Sequence, residues 1–171
     1  MTKVFLYSDP HFGHLGVCKF LSKDGVTKLR PWDNPEEMNE EMVKRYNDTV
    51  GKNDKCYFLG DVVINRKALS ILGRLNGDKV LIKGNHDIFK LSDYAPYFRD
   101  IRAYHVMNRM ILSHIPVHES QKGRFTANIH GHTHDRSLDD PWYHCVCVEQ
   151  TDFRPVLFYD VVKKIQEKQS D

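Results

Sequence analysis

Residues 79–87 read Lys-Val-Leu-Ile-Lys-Gly-Asn-His-Asp, an apolar run followed at once by polar side chains. The run predicts a buried β-strand over 79–83 that ends at the glycine. Upstream, the apolar residues of 68–75 recur at helical spacing, and Asn76-Gly77 predicts the turn that closes this helix. Residues 55–59 read Lys-Cys-Tyr-Phe-Leu and predict another buried strand, which ends at Gly60-Asp61. This order of strand, helix and strand is typical of an α/β domain.

The segments before residue 55 fit the same layout. Val4 to Tyr7 predicts a strand that Ser8-Asp9-Pro10 ends, because proline cannot continue a strand interior. Residues 12–35 are rich in glycine and proline and predict a loop. A helix is expected from Pro35, with Asn34 as its cap.

The second half of the chain predicts more strands than helices. Strands are expected around 101–106, 109–113, 126–130 and 143–149, and the short connections between them favour antiparallel pairing. The segment 155–158 predicts a last strand, followed by a final helix that contains Val161 and Ile165. Together the elements predict a mixed α/β protein with two sheets packed face to face and helices outside.

Composition and charge limit the protein class. With 171 residues, 40% of them hydrophobic and 28% charged, the chain predicts one globular domain over 1–171. It contains no apolar run near the roughly 20 residues of a membrane-spanning helix, and Met1 to Leu6 does not resemble a secretory leader, so we expect a cytoplasmic protein with no membrane partner. A net charge of +2 argues against binding to long nucleic acids. The cysteines are expected to be reduced core residues: Cys18, Cys56, Cys145 and Cys147.

Metal-ligating side chains follow successive predicted strands. Carboxylate, amide and imidazole groups recur there: Asp9, His11, Asp61, Asn85, His86, His114, His132 and His134. A mixed nitrogen and oxygen set favours Mn, Fe, Ni, Co or Zn over Ca or Mg. The number of candidates exceeds one tetrahedral zinc site, and two ions sharing a carboxylate would use them. Glycines 60, 84 and 131 would let the backbone turn sharply beside such a centre.

Two histidine assignments involve a choice. His114 is preferred over its neighbours His105 and His118, because it directly follows the apolar run at 110–112. His130 is assigned a structural or supporting role. Cys145 and Cys147 share one face of a presumed strand, where a pair of buried thiols is favoured over a metal pair.

Five short motifs occur in a fixed order along the chain: Asp9-Pro10-His11, Gly60-Asp61, Gly84-Asn85-His86-Asp87, His114 and Gly131-His132-Thr133-His134. In these motifs the sequence resembles the calcineurin-like metallophosphoesterases. Three further segments resemble the small bacterial and phage members of that family: Phe12-Gly13-His14, Arg30-Pro31-Trp32 and Glu37-Met38-Asn39.

The resemblance implies a fold, a cofactor and a reaction. The fold would be a four-layer α-β-β-α sandwich with two mixed sheets, and the cofactor two divalent metal ions, manganese among the candidates. The ligand sets carried over are Asp9, His11 and His134 for one ion, Asn85, His114 and His132 for the other, and Asp61 as the bridge. The implied activity is a phosphohydrolase that cleaves a small, nucleotide-type phosphate ester by a two-metal hydroxide mechanism.

The resemblance also suggests roles for four residues outside the ligand set. His86 would protonate the leaving oxygen or stabilise its charge, and Asp87 would orient the His86 imidazole. His14 and Arg30 would contact the substrate phosphate. The alternative for this last pair is a loop histidine and a solvated loop cation.

Two other functions are compatible with the same motifs. One is a nuclease or RNA-end-processing phosphoesterase acting on short substrates, and the other is a non-catalytic scaffold of the same fold. The sequence leaves open the physiological substrate, the preference for monoesters or diesters and the oligomeric state.

Overall fold

The computed structural model describes residues 2–170, and within that range the chain forms nine strands and three α-helices. The strands are β1 Val4–Tyr7, β2 Lys55–Phe58, β3 Asp78–Ile82, β4 Asp100–Arg102, β5 His105–Met107, β6 Met110–Ser113, β7 Ala127–His130, β8 Tyr143–Cys145 and β9 Val156–Leu157. The helices are α1 Pro35–Thr49, α2 Leu91–Tyr94 and α3 Phe158–Ser170, with 3₁₀ segments at Gly16–Cys18, Arg66–Arg74, Glu119–Gln121 and Val148–Gln150.

The strands form two mixed sheets. The first has the order β4-β3-β2-β1-β9, in which β1 to β4 run parallel and β9 pairs antiparallel with β1. The second has the order β5-β6-β7-β8, in which β6, β7 and β8 run parallel and β5 is antiparallel to β6. In each sheet, therefore, the parallel strands end at one edge, where the residues that follow them can meet.

Two hydrophobic clusters hold these layers together. On one face of the first sheet, Tyr7 and Phe58 pack with α1 and the 3₁₀ helix Arg66–Arg74. On the other face, Leu6 and Val80 belong to a second cluster, with Leu112 and Ile129 of the second sheet. Alternate residues of each central strand thus pack into the clusters on opposite faces of the sheet, which explains why these strands are apolar throughout.

The sequence signals that predicted the two helical segments beside the first sheet are confirmed. The Asn34 side chain accepts a hydrogen bond from the Glu37 N–H, and Pro35 opens α1 as expected. The helix expected before the Asn76-Gly77 turn is present as a 3₁₀ helix, Arg66–Arg74, and Gly77 has a positive φ of 84°.

The expectation of antiparallel pairing in the second half was wrong for most of the sheet. Only β5 and β6 form an antiparallel hairpin, through Asn108 and Arg109, both of which have positive φ. The connections after β6 and β7 span residues 114–126 and 131–142, which is long enough to cross back and start a parallel strand. The single strand expected over 101–106 is divided, and its halves, β4 and β5, belong to different sheets.

The last helix, α3, packs mainly on the edge of the first sheet. That helix starts directly after the edge strand β9, so it packs back on β1 and β9. Its buried side chains Phe158, Val161 and Ile165 join the cluster between the sheets. The described residues thus form a mixed α/β sandwich whose outer helices cover the first sheet. None of the helices within 2–170 has the length and apolar character needed to cross a membrane.

Candidate metal centre

The predicted ligands meet where the parallel strands of the two sheets end. Five of them have left-handed backbone conformations that non-glycine residues rarely adopt: Asp9, His11, Asp61, His132 and His134, with φ between 51° and 70°. Such strain persists only where the surrounding structure holds it, and it concentrates at functional sites. Here the loops are tied together, because Asp9 N–H donates to Gly60 O and His11 N–H to Asp61 O, each at 3.1 Å.

Asp9, His11 and His134 form the first group of possible ligands. One donor atom from each lies within 4.8 Å of the others, with Asp9 and His11 buried and His134 half-buried. His11 Nε2 is 3.6 Å from Asp9 Oδ1, and the ring centroids of His11 and His134 are 5.2 Å apart.

Asp61, His114 and His132 form the second group, again with donor atoms within 4.8 Å of one another. His114 Nε2 lies 3.4 Å from Asp61 Oδ1 and 3.3 Å from His132 Nδ1. It is also 2.8 Å from Asn85 Oδ1, so the amide expected as a ligand adjoins this group. Two clusters can therefore each hold a divalent ion.

The Asp61 carboxylate lies between the two groups. Its Oδ2 is 3.6 Å from His11 Nε2, and its Oδ1 faces His114. The His86 N–H also donates to Oδ1 at 2.8 Å. A carboxylate that presents one oxygen to each cluster is suited to join two ions.

Unpartnered buried atoms support a cation in the first group. Asp9 Oδ1 and His11 Nε2 are both buried and have no hydrogen-bond partner. Leaving such groups unpaired costs free energy, and the 3.6 Å between them exceeds a hydrogen bond. Both offer lone pairs of the kind that divalent transition metals bind, so the residues present fit a metal ion.

The electrostatics of the site favour a cation as well. Burial alone would raise the pKa of Asp9, but the neighbouring His11 and His114 outweigh it and hold this pKa below its usual value. Burial would lower the pKa of His114, yet Asp61 and Asp9 raise it to about 9. The two carboxylates thus create a negative field that would also attract a divalent ion.

Three glycines permit the close approach of the loops, as the sequence predicted. A Cβ at Gly131 would overlap Ser8 Oγ and Asp9 Oδ2, and one at Gly84 would overlap Asp61 Oδ1. Gly60 has a φ of 92°, and a Cβ there would crowd His114 Nδ1. Each position requires the absence of a side chain.

Hydrogen bonds determine which ring nitrogen of His114 and His134 faces the two groups of possible ligands. His114 Nδ1 lies 2.7 Å from Leu59 O, which can only accept, so Nδ1 carries the proton and Nε2 faces the site. His134 Nδ1 lies 3.0 Å from Glu149 Oε1, which leaves its Nε2 free. Glu149 has no role in the sequence prediction. The signal that could have found it is an acidic residue directly after the apolar run 145–148.

The predicted substrate contact of Arg30 was wrong, and so was the alternative of a solvated cation. Arg30 is fully buried: it donates to Glu149 Oε1 at 2.6 and 2.9 Å, to Asp9 O at 2.7 Å and to Pro10 O at 2.7 Å. It therefore supports the ligand loop and the Glu149–His134 pair from beneath the site.

The orienting role predicted for Asp87 is also wrong. Its carboxylate accepts the backbone N–H groups of Asp61, Val62 and Gly84 at 2.8–2.9 Å. Asp87 thus joins the two loops that follow β2 and β3, and in the described residues its oxygens bond to backbone N–H groups rather than to His86. His86 itself is exposed, with its ring 5.8 Å from that of His11.

His14 lies beside the first group of ligands. Its ring centroid is 5.6 Å from that of His11 and 5.8 Å from that of Phe20. Burial and then the nearby His11 and Arg30 lower its pKa to about 4. His14 thus lies next to His11, and its contact with substrate stays a prediction. His130 is buried, and its Nδ1 lies 2.8 Å from Gly131 O, in line with a structural role.

The cysteines are free, and Cys18, Cys56 and Cys147 are buried. Cys147 Sγ lies 3.2 Å from Asp9 Oδ2, so this thiol supports a predicted ligand. Cys145 is half-buried beside Thr133, whose hydroxyl is 3.3 Å from its sulfur.

Comparison with known proteins gives one clear relative. The chain is 33% identical over 186 residues to the uncharacterized protein MJ1445 of Methanocaldococcus jannaschii, covering 97% of this chain and 93% of that protein. The chain belongs to the MJ1445 family. No protein-family model matches the sequence of this MJ1445-family chain.

Two solved structures resemble this member of the MJ1445 family. AQ665 from Aquifex aeolicus, a protein of unknown function, has a TM-score of 0.70 at 21% identity, covering 95% of this chain and 99% of its own. The two proteins therefore share a fold. Phosphopantetheinyl hydrolase (PptH) from Mycobacterium tuberculosis has a TM-score of 0.34 at 17% identity over 66% of this chain and 41% of its own, a likeness too slight to support an argument.

Proposed function

We propose that this protein is a calcineurin-like metallophosphoesterase that hydrolyses small phosphate esters with two divalent metal ions. The observation that carries the proposal is the pair of adjacent clusters, Asp9-His11-His134 and Asp61-His114-His132, with Asp61 facing both. A single structural ion would not require two groups of ligands that share a carboxylate.

In the proposed reaction, the metal ions and the side chains of the site have separate roles. When bound, a pair of divalent ions supplies Lewis-acid polarisation of the phosphate and activation of the attacking water. The remaining work falls to side chains: Asp61 keeps the two ligand groups adjacent, and Glu149 holds His134 in one ring orientation.

His86 is the proposed proton donor to the leaving oxygen. Its side chain is exposed beside the proposed ligands, and its backbone N–H donates to Asp61 Oδ1. The ring is therefore held near the site but belongs to neither group of ligands. The water oxygen forms a new bond to phosphorus and releases a proton to solvent, the ester P–O bond breaks, and the departing oxygen takes a proton from the His86 imidazolium, which regains it from solvent.

A comparison of leaving groups tests both parts of the proposal. Wild-type protein loaded with Mn²⁺ should hydrolyse p-nitrophenyl and simple alkyl phosphate esters, measured as release of p-nitrophenolate or of the alcohol. His86→Ala should keep its metal and lose about 10²–10⁴-fold in kcat on the alkyl esters, which have poor leaving groups, with a smaller loss on the aryl esters. His118→Ala, an exposed histidine outside the site, is the matched control.

Equal losses of His86→Ala on both ester types would contradict the proton-donor role. Absence of any turnover by wild-type protein across Mn²⁺, Ni²⁺, Co²⁺, Zn²⁺ and Mg²⁺ would contradict the function as a whole.

A further inference from the structure

Two separate pockets adjoin the candidate metal centre. The first, here called the His134 pocket, has a volume of about 480 Å³ and is lined by His132, His134, Phe20, Leu21, Arg136 and Leu138 among others. The second, the His114 pocket, has a volume of about 420 Å³ and is lined by His114, Asn85, Lys83, Tyr104, Ile115 and their neighbours. The two share no lining residue, and each includes two predicted metal ligands.

Strand order puts the pockets on opposite flanks of the centre. Along the first sheet, the His114 pocket follows β3 and β4, Asp61 follows β2, and the loop 20–29 of the other pocket follows β1. Along the second sheet, the His114 pocket lies at the end of β6, and the His134 pocket is formed by the loop after β7. In the first sheet, Asp61 thus lies between the segments that form the two pockets, and in the second sheet the pockets end on neighbouring strands whose predicted ligands line them.

The walls of the His134 pocket are built by two loops that are joined to each other. The Asp135 carboxylate accepts the Ser22 hydroxyl and the Lys23 N–H, both at 2.6 Å. Phe20, Leu21 and Leu138 remain 49%, 53% and 42% exposed. A pocket with a fixed wall and exposed apolar side chains next to a few polar groups is typical of a binding site for an organic group.

The His114 pocket also combines apolar surface with one cation, Lys83, as the His134 pocket does with Arg136. Tyr104 and Ile115 are 57% and 52% exposed, and Lys83 also lines the pocket. Its wall is fixed too, because Ser113 Oγ donates to Ile115 O at 2.7 Å and Val117 N–H donates to Asn128 Oδ1 at 2.9 Å. Each flank is therefore equipped to bind an organic substituent.

We infer that the substrate is a phosphodiester with two ring-bearing organic groups, one in each pocket and the phosphate between them. This inference rests on the proposed function. A phosphomonoester has one organic group and would fill one pocket, whereas a diester has two. Hydrolysis adds one water: a new P–O bond forms to the water oxygen, one ester P–O bond breaks, and the products are an alcohol and a phosphomonoester.

The test compares substrates that release the same p-nitrophenolate. With Mn²⁺-loaded protein, kcat/KM should be about tenfold or more higher for phenyl p-nitrophenyl phosphate than for methyl p-nitrophenyl phosphate, because the second ring fills the second pocket. Both diesters should be better substrates than the monoester p-nitrophenyl phosphate.

Variants at exposed positions assign the two pockets. Leu138→Glu in the His134 pocket and Ile115→Glu in the His114 pocket should each lower kcat/KM for the phenyl diester about tenfold, because a charge replaces an apolar contact. Tyr159→Glu changes an aromatic side chain that is 72% exposed on α3 and outside both pockets, and it should leave turnover unchanged.

The outcomes separate the two proposals. The diester inference would be overturned if kcat/KM were higher for the monoester, or if only one of the two pocket variants lowered kcat/KM for the phenyl diester. Either result would leave the proposed function standing. A protein that hydrolyses none of the three esters would overturn the function itself.

Discussion

At the scale of single residues, strained backbone marks the site more sharply than any one side chain. The left-handed conformations at Asp9, His11, Asp61, His132 and His134 each cost about 1–3 kcal/mol in isolation. They occur directly after strands, where the loops of the two sheets are bonded to each other. The motifs predicted which residues meet, but the conformation that lets them meet depends on contacts from distant segments.

Gly131 gives a direct test of this close approach. Gly131→Ala should lower the free energy of unfolding by roughly 1–3 kcal/mol, because the new methyl overlaps Ser8 Oγ and Asp9 Oδ2. Denaturant unfolding measures the change. Gly123→Ala is the matched control, since a Cβ there meets no atom within 4 Å. Equal stability of the two variants would show that the loops are not tightly packed at this point.

Glu149 is expected to act on metal binding through His134. Glu149→Gln keeps the shape but weakens the bond to His134 Nδ1 and the pair with Arg30, so Mn²⁺ affinity should fall about 10–100-fold. Calorimetric titration of Mn²⁺ gives the affinity, and circular dichroism reports the fold. Glu119→Gln, an exposed carboxylate on the surface, is the control.

A structural role alone would make Glu149→Gln less stable without changing the affinity of the folded protein for Mn²⁺. That result would contradict the positioning role. The sequence could not predict this role, because Arg30 and Glu149 are far apart in the chain and only the tertiary fold brings them together as a buried ion pair.

At the scale of secondary-structure elements, most strands of both sheets were predictable, but the pairing direction in the second sheet was not. Apolar runs that end at Gly60 and Gly84 correctly predicted two strands joined by a helical segment, and the two strands are parallel. In the second sheet the long connections carry no such pattern, so nothing in the sequence separated a crossover from a hairpin. The ends of β6 and β7, which carry predicted ligands, align because these strands are parallel.

The start of α1 gives a prediction at this scale. Asn34→Ala should destabilise the protein by about 1 kcal/mol, because it removes the acceptor for the Glu37 N–H at 2.8 Å. Thermal or urea unfolding measures the loss. Asn53→Ala, at an exposed turn position, should change stability much less. Similar effects of the two substitutions would show that α1 owes little to its cap.

At the scale of the whole molecule, the candidate centre joins the two sheets at one edge. Asp9, His11, Asp61 and Asn85 follow strands of the first sheet, whereas His114, His132 and His134 follow strands of the second. A bound ion in the second group would thus connect both sheets through Asp61 and His132. Ligands that bind only the folded state stabilise it by mass action.

Metal removal should therefore lower the stability of the entire chain rather than of one loop. With Mn²⁺ at 100 times its Kd, one site adds about 2.7 kcal/mol, so the melting temperature should rise by roughly 5–11 °C over the chelated protein. Asp61→Asn should lose most of this increase, since the carboxylate shared by both groups is gone, whereas Asp139→Asn, an exposed carboxylate, should keep it. Calorimetry with and without chelator measures the shift. An equal rise in melting temperature for wild type and Asp61→Asn would mean that the ions bind elsewhere. Loss of the Asp61 carboxylate should weaken any ion that both groups of ligands hold through it.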